Sequence, residues 1–338
     1  MGVQMAKIIV KEETNLEALA NKAFAVDGNN SLYQFLALIR TKDGTPLKDS
    51  QGNVTSHLVG LSMRMTKLIS DYGMKLIYVF DGAPPVFKAK EIVQRREIRD
   101  KAIKEWQKAV AEGDYETARK KATASSRLSR TMVEDAKILL NHLGIPWIQA
   151  PSEGEAQAAY LARKKEVWAI NSRDFDSLLF GAPRLARYLT ISGRSRWGKL
   201  IPEIIELDKV LQHNEISHKQ LIDAAILIGT DFNDGIKGIG PIKAIQTIKK
   251  YKTLDKVPDN IKSGLPSYVN EIREFFLNPP VVDNYSITSN QVNEEELREF
   301  LCEEHDFSPN KVDQLIERMT EKPLKKAKVR SLDSFFKT

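Results

Sequence analysis

PSEGEAQAAYLARKKEVWAINSRDFDSLLFG, residues 151–181, carries two Glu and two Asp in pairs spaced i, i+2, flanking a stretch that reads as a helix followed by a strand. Unpaired carboxylates are seldom buried, so four of them where a core should begin need a reason. The same grammar recurs along the chain. FAV at 24–26 runs into Asp27-Gly28, KLIYVF at 75–80 into Asp81-Gly82, GIPWIQA at 144–150 into Pro151-Ser152, and EVWAI at 166–170 into Asn171-Ser172. Each is a short β-branched or aromatic run ended by turn residues, the pattern of a buried strand. Helix-length patterns lie between them. In HLVGLSMRMTKLISDYG at 57–73, Leu58, Leu61, Met65, Leu68 and Ile69 fall at three- and four-residue steps. The alternation predicts an α/β fold with a mostly parallel central sheet and helices on both faces.

The 338 residues are enough for two lobes or one large α/β unit. The 42% hydrophobic and 28% charged fractions are those of a soluble globular protein. The one cysteine, Cys302, excludes an intramolecular disulfide and fits a reducing, cytoplasmic compartment. MGVQMAKIIVKEE at the N-terminus has no apolar stretch of signal-peptide length, and the longest apolar run, AAILIG at 224–229, is far too short to span a bilayer. Ala6 stands where a myristoylation signal at Gly2 wants Ser or Thr.

Net charge is 51 minus 45, or +6, and its placement matters more than its size. Val86 to Arg130 holds 13 Lys plus Arg against 7 Asp plus Glu, and Gly235 to Lys252 holds Lys237, Lys243, Lys249, Lys250 and Lys252 with no acid. One such run is usually a solvated helix face. Two runs beside a cluster of acids point to a polyanion whose reacting group needs metal. Lys88 to Asn141 reads as a charged helical insertion standing off the sheet, with EGDYETARKKATASS as a mobile connection in its middle. GIKGIGPIKAIQTIKK reads as a turn entering a helix, and the chain closes on a basic tail with an apolar end.

The acids fall where strands end. Asp27 and Asp81 directly follow strand-like runs, Asp174 and Asp176 come just past a third, Glu153 and Glu155 follow GIPWIQA, and Asp231 closes AAILIGT. Open α/β sheets gather ligands at the carboxyl ends of their strands. Local readings exist for some of these: Ser152 with Glu155 matches a capping box, and each Asp-Gly could be a turn. On a helix a step of two turns side chains about 200° apart, so Glu153 and Glu155 can share a target only if the helix starts between them. Seven like charges at one edge would raise one another's pKa unless cations neutralised them. With no Cys or His cluster, hard oxygen ligands suit Mg²⁺ or Mn²⁺, and paired ions about 4 Å apart serve phosphodiester hydrolysis.

AVDGNNSLYQF (25–35), YVFDGAPP (78–85), APSEGEAQAAYLA (150–162), SRDFDSLLFG (172–181) and GTDFNDGIKGIGPIKA (229–244) together resemble the flap endonucleases, structure-specific 5′ nucleases, and among them the archaeal type. The resemblance covers nearly the whole chain. It implies that Asp27, Asp81, Glu153, Glu155, Asp174, Asp176 and Asp231 hold two Mg²⁺, that Lys88 and Arg95 contact the scissile phosphate, and that Tyr33 stacks a nucleobase. It places Gly2 near the site and assigns Arg40, Thr55 and Arg64 to DNA, with residues 40–55 holding a short 3′ flap. Residues 235–252 resemble a helix–two-turn–helix in which Lys237, Gly238, Gly240 and Lys243 meet duplex phosphates, with a K⁺ bridge. Leu332, Phe335 and Phe336 resemble the anchors that plug into the PCNA sliding clamp, with Val329 where the motif has Gln.

The resemblance divides the chain into an N-terminal nuclease region (1–105), a helical cap or arch with its connection (106–143), an internal nuclease region with the helix–two-turn–helix (144–260), a C-terminal helical region (261–322) and a clamp-binding tail (323–338). It implies a monomer that cuts 5′ flaps, with 5′–3′ exonuclease activity, cytoplasmic in an archaeal source and nuclear in a eukaryotic one. Two rivals fit less of the chain. A metal-dependent RNA nuclease has no need of the duplex grip at 235–252, and a silent clamp-associated scaffold has no use for seven acids.

Overall fold

Side chains in a strand alternate between faces, and KLIYVF shows what that does here. Leu76, Tyr78 and Phe80 point into one apolar core while Ile77 and Val79 point into another. Phe24 and Val26 join the first of these cores and Ala25 the second, so the sheet is buried on both sides. The computed structural model describes residues 2–41, 43–124, 127–191, 193–195 and 198–320. Its strands are β1 (Glu12–Glu13), β2 (Ala23–Asp27), β3 (Lys75–Phe80), β4 (Trp147–Gln149), β5 (Ala169–Asn171), β6 (Arg184–Arg187), β7 (Gly193–Ser195), β8 (Gly198–Leu200) and β9 (Glu203–Glu206).

Seven of them form one sheet in the order β1-β9-β6-β5-β2-β3-β4, while β7 and β8 pair apart as a ribbon. The β6-β5-β2-β3-β4 run is parallel, and β9 pairs antiparallel with both β6 and β1. The sheet is therefore mixed, with a parallel centre and an antiparallel edge. The chain goes outward from β2 through β3 to β4, then returns to lay β5 on the other side of β2. That reversal opens a crevice at the carboxyl ends of β2 and β5, the place where such sheets bind ligands.

One face is covered by the helices Gly154–Arg163, His218–Ile228, Pro241–Tyr251 and Val269–Leu277, the other by Gly28–Leu38, the helical run from Ser56 to Tyr72, and Arg130–His142. The helix Gly154–Arg163 lies close on the sheet because its buried positions Ala156, Ala158, Ala159 and Ala162 are small. No helix among the described residues is long and apolar enough to cross a membrane.

Two expectations about the insertion need correcting. Residues Tyr115–Ala124, read as a mobile connection, form a helix. Asp114 accepts from the Thr117 N–H at 3.0 Å, Lys120 pairs with Glu116 at 2.8 Å, and Lys121 reaches Glu105 on the preceding helix at 2.6 Å. Strong helix formers and a side-chain cap outweigh the polarity that suggested a loop. The insertion also ends earlier than Asn141. Ala136, Leu139 and Leu140 of the helix Arg130–His142 are fully buried beside Tyr78 and Phe80, so that helix belongs to the body.

Candidate active site

Each acid sits at or beside the end of an element. Asp27 ends β2 and caps the helix Gly28–Leu38, its Oδ1 accepting from the Asn30 N–H at 2.9 Å and its Oδ2 from the Ser172 hydroxyl at 3.1 Å. Asp81 follows β3, and its Oδ1 accepts from the Gly154 N–H at 2.7 Å. A Cβ on Gly154 would stand 2.9 Å from that oxygen, so glycine is what permits the approach. Glu153, not Ser152, is the N-cap of the helix Gly154–Arg163, with extended backbone and no capping side-chain bond, and Glu155 lies in the first turn. The pair therefore straddles the helix start and the capping box is not formed. Asp174 and Asp176 enter the short helix Asp176–Leu179, and Asp231 follows the turn after His218–Ile228.

The N-terminus closes the pocket. The Gly2 N–H donates to Asp174 Oδ1 at 3.1 Å and the Val3 N–H to Asp176 Oδ1 at 2.9 Å. A Cβ on Gly2 would lie 2.6 Å from Asp176 Oδ1 and 2.9 Å from Asp174 Cβ. Gly2→Val is therefore expected to displace both carboxylates. An ångström-scale displacement costs ~10²-fold in rate, and single-turnover cleavage beside a thermal melt will show that loss with the fold intact.

The electrostatics tie all seven acids together. Burial, then Asp81 and Asp174, push the Asp27 carboxyl up to about 8 against the help of Asn30 and Ser172. Burial, then Asp231 and Asp174, push Asp176 up to about 7. Glu155 is driven well above the usual carboxylate range by burial and by Asp176, Asp27 and Asp174. Asp81 stands at the rim with exposed surface, yet protein crowds its inner side, and burial and Asp231 raise it despite Gly154, Lys88 and Arg95. Burial and Asp81 raise Glu153 although Lys88 opposes them.

Among the described residues, cations pair with only part of this charge. Lys88 Nζ lies 2.6 Å from Glu153 and 3.9 Å from Asp231, and Arg95 Nη2 lies 2.6 Å from Asp231. Burial would lower the Lys88 ammonium, but Glu153, Asp231 and Asp81 together raise it. Both cations rise from the base of the helix Ala89–Ala111, whose partner helix Tyr115–Ala124 touches the helix Gly28–Leu38. Among the described residues, the buried Glu155 Oε1 has no hydrogen-bond partner.

Among the described residues no three acidic, His or Cys side chains already surround one point as a finished metal shell. The donor set nonetheless fits hard divalent cations: every donor is a carboxylate, the groups repel one another, and one buried oxygen has no partner among the described residues.

Tyr33 is half-buried on the helix Gly28–Leu38 and belongs to neither apolar core. Arg40 donates to the Leu36 carbonyl and, at 2.7 Å, to that of Gly44. Thr55 is buried ahead of the helix Ser56–Val59, and Arg64 donates from Nε to the Thr190 carbonyl. Lys243 Nζ meets the Gly238 carbonyl at 3.3 Å just before the helix Pro241–Tyr251. Gly238 has φ +82°, and neither it nor Gly240 has anything within 4 Å of where a Cβ would be, so their backbone faces open space. Lys237 is exposed in the same turn. The anchors Leu332, Phe335 and Phe336 lie outside the described residues.

Sequence reasoning missed Asn30, Ser172 and Gln34. Asn30 Nδ2 donates to Asp174 Oδ2 at 3.0 Å, and Gln34 donates to Asn30 Oδ1. The signal available was spacing: Asn30 and Gln34 stand three and seven residues after Asp27, on one face of a helix.

A cluster of acids at the carboxyl edge of a switch-point sheet, with two cations poised beside it, defines a nuclease of the acid-cluster class. Known proteins narrow the class. The XPG N-terminal domain matches residues 1–102 and the XPG I-region residues 144–231. The flap endonuclease 1 of Staphylothermus marinus is 50% identical over 331 residues, covering 94% of each chain. That of Pyrococcus furiosus is 48% identical over 345 residues, covering 100% of each. The solved flap endonuclease-1 from Methanococcus jannaschii superposes with TM-score 0.75 at 40% identity, covering 94% of this chain and 98% of its own. Human GEN1 bound to Holliday junction DNA shares the fold at 20% identity, TM-score 0.67, over 94% of this chain and 77% of its own. The chain belongs to the flap endonuclease family, which makes it a structure-specific DNA nuclease and implies divalent-metal dependence.

Proposed function

We propose that this protein hydrolyses DNA phosphodiesters at 5′ flaps, near the junction of single and double strand, with 5′–3′ exonuclease activity at the same site. Its place would be Okazaki fragment processing in replication, and repair. The observation that carries the reading is the meeting of seven carboxylates with Lys88 and Arg95 beneath the helical pair Ala89–Ala111 and Tyr115–Ala124. Two divalent ions, Mg²⁺ or Mn²⁺, would be held by Asp27, Asp81, Glu153, Glu155, Asp174, Asp176 and Asp231, supplying the Lewis acidity that phosphodiester hydrolysis needs.

The chain's own residues position the strand. Lys88 and Arg95, now paired with Glu153 and Asp231, turn to the scissile phosphate once those acids are otherwise engaged. Tyr33 offers a ring to the unpaired base; such stacking is worth ~1–3 kcal/mol. The helical pair forms the arch for the 5′ strand, residues 40–55 hold a short 3′ flap, and Arg64 is a further DNA-binding residue. The open turn at Gly238 and Gly240, with Lys237 and Lys243, grips duplex phosphates, bridged by K⁺. The tail carrying Leu332, Phe335 and Phe336 takes the enzyme to the PCNA clamp as a monomer.

Labelled double-flap DNA with Mg²⁺ should be cut near the junction, a chelator should stop the reaction, and single-stranded RNA should survive. Cutting that ignores the chelator, or a preference for RNA, would overturn this reading. Lys88→Ala is expected to lower the single-turnover rate by ~10²-fold, the cost of one preorganised charge donor. Binding of the flap, measured by anisotropy, should change far less.

A further inference from the structure

Asp174 does not stand alone. Its Oδ2 accepts from Asn30 Nδ2 at 3.0 Å, Asn30 Oδ1 accepts from Gln34 Nε2, and Gln34 Oε1 accepts from the Thr190 hydroxyl at 3.3 Å. Thr190 is anchored in turn, since Arg64 Nε donates to its backbone carbonyl. Gln34 is 6% exposed and Thr190 1%, so the inner members of this chain have little water to substitute for a lost partner.

Chemistry sets the direction of the relay. A carboxylate at Asp174 can only accept, so Asn30 must turn its NH₂ towards it and its oxygen away. That oxygen needs a donor, which Gln34 supplies with its own NH₂, and the Gln34 oxygen then needs the Thr190 hydroxyl. Asn30 and Gln34 stand at i and i+4 on the helix Gly28–Leu38, whose cap is Asp27. One rigid helix therefore carries one metal-site acid and the amide that aims another.

We propose that Asn30 is a positioning residue for the divalent-cation site, holding the Asp174 carboxylate towards the metal, and that Gln34 locks the Asn30 amide in the orientation this requires. The proposal rests on the reading of Asp174 as a metal-site residue. Partners that orient metal ligands typically contribute ~10–100-fold in affinity. The role is one of aim, so metal occupancy should suffer while chemistry at saturating metal survives.

The test is Mn²⁺ binding to the DNA-free protein, followed by the electron paramagnetic resonance of free Mn²⁺, for the parent, Asn30→Leu and Gln34→Met. Both replacements keep side-chain volume and remove the amide. Asn30→Leu should weaken Mn²⁺ binding by ~10–100-fold, with Gln34→Met weakened by a lesser factor. Raising Mn²⁺ should bring the single-turnover rate of both back towards the parent value. If Asn30→Leu does not fold, the Gln34→Met affinity decides. Mn²⁺ affinity unchanged in the folded variants, even with a lowered melting temperature, would overturn the proposal and reduce the relay to core packing. A parent that binds no Mn²⁺ would instead overturn the functional reading beneath it.

Discussion

Asp174→Ala is expected to lower Mg²⁺-dependent flap cleavage by at least ~10³-fold while flap DNA still binds. Losing one charge donor at a reacting centre costs ~10²–10³-fold, and under the proposed reading Asp174 is also a ligand to the ions, whose loss removes more. Binding should persist because phosphate contacts dominate affinity for nucleic acids, and the cations proposed to supply them are other residues. Lys237 and Lys243 are outside the acid pocket, and Lys88 and Arg95 pair with Glu153 and Asp231 rather than with Asp174. Taking one negative group from the pocket also removes repulsion against the strand, so affinity should hold or rise. Single-turnover cleavage and anisotropy on the same flap separate the two. Undiminished cleavage would remove Asp174 from the site.

The second large effect is on stability. The Asp27 and Asp176 carboxyls, raised from 3.8 to about 8 and about 7, are pushed up by burial and by the charges of Asp81, Asp174 and Asp231. A folded-state pKa above the unfolded value contributes stability that is complete below the unfolded pKa and is lost as pH rises through the folded one. For these two groups the loss spans pH 4 to 8. Metal-free protein should therefore melt at progressively lower temperature as pH rises from 5 to 8. A divalent ion binds the deprotonated acids and competes with protons, so its benefit should grow over the same interval. At ~100 times its dissociation constant a ligand adds ~2.7 kcal/mol, about 5 °C for a large domain. Melts in chelator and in Mg²⁺ at pH 5 and pH 8 provide the check. Asp176→Asn should flatten the chelator curve, and an equal Mg²⁺ gain at both pH values would contradict the linkage.

The parallel centre of the sheet was legible because its strands are buried on both faces and so read as unbroken apolar runs. KLIYVF at 75–80 coincides with β3, and FAV at 24–26 lies inside β2. The antiparallel edge left no such trace. β1 is only Glu12–Glu13, both exposed, held by pairing with β9 rather than by any preference of its own. The helix Tyr115–Ala124 was missed because its polarity was weighed above its helix formers and the Asp114 cap, and its contact with Glu105 on the preceding helix leaves no local trace.

The place of the acids at the ends of elements could be read because strand ends have a sequence signature. Their supports could not. Ser172 against Asp27, and Gly2 and Val3 against Asp174 and Asp176, are contacts between residues 145 or more positions apart. The capping box at Ser152 to Glu155 shows the opposite failure, a local motif overruled by tertiary need. Glu153 takes the cap position because its side chain is wanted by Lys88 and the pocket.

The most direct measurement is anomalous diffraction from a crystal of this protein soaked in Mn²⁺ at pH 8. Two manganese peaks about 4 Å apart, within bonding distance of oxygens drawn from Asp27, Asp81, Glu153, Glu155, Asp174, Asp176 and Asp231, are the expected result. A pocket free of manganese, with Lys88 and Arg95 still bound to Glu153 and Asp231, would contradict it.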